Sequence, residues 1–125
     1  MKKSIYCGLL LVGLFAVAPA HAANKSSSEQ VQFGIAVARK GLWAEARFRF
    51  ERAATLDPSN ASALNNLAVA CEQQGDFAKA RDAYQAALKL KPKDSRIQQN
   101  YDLFREADEK RNRKTKTQER EKHGP

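Results

Sequence analysis

Shifting the chain by 34 residues lays Asn60–Pro92 over Ser26–Pro58. At that single offset Gly41 falls on Gly75, Trp43 on Phe77, Ala46 on Ala80, Phe50 on Tyr84, Ala53 on Ala87 and Pro58 on Pro92. A constant offset of this length marks one supersecondary unit used twice, each copy burying its apolar side against the other. Ala46, Phe50 and Ala53 are spaced four and three apart and so share a helix face, as do Ala80, Tyr84 and Ala87. Small residues beside a ring let two helix backbones approach while the ring fills the space between them. Gly41 and Gly75 stand where the first helix of each unit must end in a left-handed residue. Pro58 and Pro92 stop the second helices, because proline lacks the amide hydrogen and clashes with the preceding turn. Asp76 is placed to cap the second helix of repeat two, a role Leu42 cannot take in repeat one.

This offset with these residue types resembles the tetratricopeptide repeat. That pattern has a bulky residue and Leu-Gly in its first helix, then Gly, an aromatic, Ala, an aromatic, Ala and Pro. Repeat two supplies Leu64, Leu67, Ala68, Gly75, Phe77, Ala80, Tyr84, Ala87 and Pro92; repeat one supplies Gln30, Phe33, Gly34, Gly41, Trp43, Ala46, Phe50, Ala53 and Pro58. The departures are Gln30 at the bulky position, and Val37 and Cys71 where the family usually has Tyr. The resemblance implies an all-α fold, a short α-solenoid of two helical hairpins. A third unit begins at Asp94, where Tyr101 follows Leu67 by 34 residues, but Glu109 replaces the turn glycine. The segment 95–110 therefore reads as a capping helix, with Ile97, Tyr101 and Phe104 facing repeat two, Asp94 or Ser95 at its start, and a polar outer face.

Before the repeats, Met1–Lys3 is positive, Ile5–Ala18 is apolar, and small residues follow, the three-part form of a secretory signal peptide over residues 1–22. The expected cut precedes Ala23; a cut before His21 also fits. The alternative, a retained anchor, needs a longer apolar run. Cys7 lies too early, and without the residues that precede a lipidated Cys, for a lipoprotein. The leader is Gram-negative in style, so the expected address is periplasmic or secreted. Residues 23–28 read as a linker whose Ser27 forms a capping box with Gln30, and the helical domain spans 29–110, with repeats about 27–60 and 61–94. From Lys110 to Pro125 seven basic residues face two acidic ones, a net +5 of the formal charge of +8, so the basic character belongs to the tail; residues 111–125 read as mobile, although their Lys, Arg, Gln and Glu are compatible with the helix running on a turn or more.

Composition limits the chemistry. The two His are His21, in the leader, and His123, in the tail, so no positioned base stands beside Cys71. With Cys7 in the leader, Cys71 is left alone, as a small buried apolar residue. Asp102, Glu106 and Glu109 share a helix face, but basic neighbours Arg105 and Lys110 make surface ion pairs the better reading than a metal site. No phosphate loop is present, and neither an enzymatic role nor a cofactor is expected.

What remains is surface. In the family the first helices line a concave face that holds peptides or partner segments. The matching positions here give a groove of Val31, Ile35 and Arg39 from the first helix, Asn65, Asn66, Val69 and Gln73 from repeat two, and Arg96, Gln99, Asn100 and Leu103 from the last helix. Some members clamp a C-terminal carboxylate. Asn66 and Arg96 fit that clamp, but Val31, Ile35 and Asn100 replace its other residues, so recognition of a free chain end is not implied. An apolar stripe of Val31, Ile35, Val69 and Leu103 beside amides suits an amphipathic helix or extended peptide; the competing reading is that these aliphatics pack internally. The expected function is a non-enzymatic adaptor or scaffold holding a segment of another envelope protein. The alternative is an attachment protein whose Lys110, Arg111, Arg113, Lys114, Lys116, Arg120 and Lys122 contact an anionic membrane or polymer. Nucleic acid is disfavoured, since the tail has no aromatic residue to stack bases. Self-association through an exposed end of the array is a further possibility.

Overall fold

The computed structural model describes residues 20–122 and 124, so most of the expected leader lies outside the described residues. Among those described there are five helices and no strand: α1 (Ala20–Ala38), α2 (Trp43–Leu56), α3 (Ala61–Gln73), α4 (Phe77–Leu90) and α5 (Ser95–Lys122). The helices α1 and α2 form one hairpin, α3 and α4 the second, and α5 lies against α4. Both hairpin turns are built alike. Gly41 and Gly75 take φ of 76° and 77°. Leu42 N donates to Val37 O at 3.1 Å and Asp76 N to Cys71 O at 2.9 Å, the six-to-one bond that ties off a helix end. Asp76 then accepts from Lys79 N at 3.3 Å, whereas Leu42 offers α2 no side-chain cap.

Alanines at the crossing points set the packing. Ala46, Ala53, Ala63, Ala68, Ala70, Ala80 and Ala87 are all fully buried, with Phe50, Tyr84 and Phe104 filling the space between helices. Gly34 packs on the ring of Phe50 with no room for a side chain: a Cβ at Gly34 would lie 2.5 Å from Phe50 Cε1. Cys71 is buried in the same core. Tyr84 donates its hydroxyl to Glu72 at 3.2 Å, and burial together with that carboxylate pushes its phenol far above the usual range.

The start of α1 differs from expectation. Ser27 caps nothing, because the helix has already begun at Ala20 and the expected linker is helical. Instead Ser27 is wholly buried. It donates to Ala53 O at 2.8 Å and accepts from Asn60 Nδ2 at 2.9 Å, while Asn60 caps α3 by accepting from Ala63 N. One hydroxyl thus joins α1, the last turn of α2 and the first turn of α3. Polar contacts also bridge the repeats. Arg47 reaches beyond its intrahelical partner Glu51 to Asp76 at 3.0 Å and Gln74 at 3.3 Å, and Lys79 reaches Glu51 at 2.6 Å. Burial opposes ionisation of Glu51, but Lys79 and Arg47 outweigh it and hold its carboxyl below the usual range.

At the C-terminal end, Asp94 accepts from the amides of Arg96 and Ile97 at 3.1 and 3.2 Å and so starts α5. Ile97 and Phe104 are buried, and Tyr101 and Phe104 meet Tyr84 at ring distances of 5.9 and 5.5 Å. The capping helix, expected over 95–110 with helix-compatible residues beyond it, continues to Lys122. Asp108 is buried and pairs with Arg81 of α4 and, at 3.1 Å, with Arg111, whose guanidinium stacks on Phe77 at 3.5 Å. Beyond it no Gly or Pro interrupts the helix before Gly124.

Two outcomes follow. Gly34→Ala gains about 1 kcal/mol of helix propensity but meets a ring that cannot retreat, so a net loss of about 1–2 kcal/mol is expected in urea unfolding; the penalty shrinks when Phe50→Leu is combined with it. Burial raises the cost of ionising Asp108, but Arg81 and Arg111 outweigh this and hold its carboxyl below the usual range. Its stabilisation is therefore complete above the unfolded-chain value of about 4 and fades as pH falls through the lower folded value. Asp108→Asn is expected to cost about 1–3 kcal/mol at neutral pH, and the gap to the native chain closes in acid.

Candidate functional site

The helices α1 and α3 leave a hollow of about 230 Å³ between them, lined by Ile35, Ala38 and Arg39 of α1 and the turn after it, Asn66 and Val69 of α3, and Trp43 and Phe50 of α2. Its walls are apolar because two helix faces meet over the second helix of repeat one. Arg39 and Asn66 supply its polar groups. Arg39 makes no ion pair among the described residues, so its charge is available to a partner. The hollow is smaller than the usual small-molecule pocket of roughly 300–1,000 Å³ and open to solvent, a shape that suits one large side chain of a longer segment.

Of the expected groove residues, Ile35, Arg39, Asn66 and Val69 come together here. Val31 does not: it is buried in the core, the internal packing that competed with the groove reading. Asn65, expected at the surface, is buried and accepts from Asn100 Nδ2 at 3.1 Å. That bond ties α3 to α5 and takes up one donor and one acceptor of the two amides. Arg96 lines a separate small recess with Ser62, Asn65 and Lys91. Gln73 lies at the opposite edge, with Gly41, Leu42 and Gln74. Gln99 and Leu103 are exposed on α5, Leu103 at 60 %. Trp43 and Phe50, read from the sequence as packing residues alone, also form the floor of the hollow. Their position on the second helix carried no sign of that second role.

The basic set also divides. Lys110 pairs with Glu106 at 2.7 Å and Arg111 is seated on Phe77, while Arg113, Lys114, Lys116, Arg120 and Lys122 are exposed along the end of α5. Asp102 faces Arg105 at 3.6 Å, so of Asp102, Glu106 and Glu109 the first two are in surface ion pairs. Burial pushes the Cys71 thiol up, opposite to what a thiolate nucleophile needs.

The family model for the tetratricopeptide repeat matches residues 31–95, just over half of the chain. No curated protein matches it. The match covers the first hairpin from Val31 onward, the whole of the second, and the residues of the hollow between their first helices. Repeats of this kind in general mediate protein–protein interaction and are typically non-catalytic. With its paired glycine turns, alanine crossings and 34-residue period, the chain belongs to the tetratricopeptide repeat family.

Proposed function

We propose that the chain is an adaptor of the bacterial cell envelope, non-enzymatic, which holds a peptide or helix segment of another envelope protein on its concave face. The observation that carries this reading is the α1–α3 hollow, apolar on Ile35, Trp43, Phe50 and Val69 and edged by Arg39 and Asn66. A large apolar side chain enters the hollow, and Arg39 and Asn66 orient the segment through hydrogen bonds, with an acidic or carbonyl group facing the guanidinium. Export to the periplasm is supported by the leader pattern of residues 1–22.

A second reading rests on the end of α5, where five exposed Lys and Arg are attracted to an anionic membrane or envelope polymer. The two readings separate in one experiment. A photoreactive residue in place of Gln32, exposed on α1, is used to crosslink partners in intact cells. Adaptor function predicts one discrete crosslinked polypeptide, reduced roughly tenfold by Arg39→Glu with Val69→Asp and unchanged when residues 113–125 are removed. Attachment through α5 predicts instead that the crosslink is indifferent to the hollow, and that envelope association is lost with residues 113–125 and weakened by salt.

A further inference from the structure

The internal repeat assigns each position of α1 a counterpart 34 residues on, in α3. In α3 the positions Ala63, Leu67 and Ala70 are buried, Leu67 to 7 % exposure. Their counterparts in α1 are Glu29, Phe33 and Ala36, all of them exposed, Phe33 to 47 %. Among the described residues the array is therefore covered at one end and open at the other. At the α5 end Phe104 is covered and Tyr101 half-buried. Beside Phe33 lies Phe48 of α2, 50 % exposed, with the Arg49 guanidinium at 4.2 Å from the first ring and 5.5 Å from the second.

We propose that this open end is covered by a second copy of the chain, related by a two-fold axis, with α1 packed antiparallel on the partner subunit's α1. The observation that selects this occupant is the order of residues along the exposed face. Glu29, Phe33, Ala36 and Lys40 are spaced four, three and four apart, Lys40 lying in the turn just past the helix, and all four are exposed. At 3.6 residues per turn Glu29, Phe33 and Ala36 fall in one narrow stripe, and Lys40 follows four residues on, just past the helix end. The spacing reads the same in both directions. An antiparallel pairing therefore sets Phe33 against the partner subunit's Ala36, large on small, and Glu29 against the partner subunit's Lys40, acid on base, and each contact occurs twice. Neither Glu29 nor Lys40 has an ion pair among the described residues. Because the same patch serves both copies, the assembly closes at two. The rings supply the affinity, and the charges fix register and direction.

The test uses the chain purified from its native host with its natural N-terminus, and sedimentation equilibrium as the readout. A monomer–dimer equilibrium is expected. Phe33→Glu weakens it at least roughly tenfold while the far-ultraviolet dichroism of the dilute chain stays as in the native protein. Glu29→Lys and Lys40→Glu each weaken it several-fold, roughly threefold to tenfold, by setting like charges opposite one another twice. A one-to-one mixture of those two single variants recovers the native dissociation constant, since each Lys then faces a Glu in both contacts, and the chain carrying both substitutions recovers it alone. A chain that stays monomeric at every concentration, because its own N-terminal residues or another protein cover Phe33, overturns the proposal. So does a dimer indifferent to Phe33→Glu, or a mixture no tighter than its components.

Discussion

The contact of Gly34 with the ring of Phe50 sets how near the first two helices can come, and the rest of the array is in register with that distance. A methyl group there would push α1 outward. Ser27 would then lose reach to Ala53 and Asn60, and the start of α3 would lose the residue that orients its cap. Repeat two solves the same problem with Ala68 over its own aromatic-bearing helix. The core is accordingly made of alanines and a few rings rather than of many leucines, and its specificity comes from where backbones touch.

The polar contacts that join one hairpin to the next are of two kinds. Ser27 and Asn60 are neutral, the first wholly buried and the second half-buried, and they fix an angle. Arg47, Asp76, Glu51 and Lys79 are partly exposed, and each pair contributes modestly in the presence of salt. Asp108 lies between these limits. It is buried against α4 with two guanidinium groups, and one of them is held by an aromatic ring. The end of the array is thus sealed by electrostatics laid over the Tyr84–Tyr101–Phe104 cluster, not by apolar contact alone.

Much of the fold was legible because it is written twice. The second helices and both glycine turns could be placed from the offset and from residue types with a single conformational use. What escaped was tertiary. Ser27 followed by Gln30 has the local form of a capping box, and nothing nearby reveals that its partner is Asn60, 33 residues away. Asn65 has the composition of a groove residue, and only the approach of Asn100 turns it inward. Val31 and Ile35 share a face, and helical periodicity gives the direction of a side chain but not the depth at which it stops. Arg111 belongs to a run of like residues; that one of them sits on Phe77 depends on how α5 crosses α4. The hollow was half visible, since its walls are first-helix positions and its floor, Trp43 and Phe50, is not.

The length of α5 has a geometric corollary. A helix that continues eleven residues past Arg111, to Lys122, extends on the order of 16 Å further at the standard rise, as a spar anchored by its stacked guanidinium. Cations borne on such a spar keep a set bearing and span from the repeats, where cations on a coil would wander. Any polyanion that met them would find its counter-charges already arrayed, at a defined stand-off from the hollow between α1 and α3.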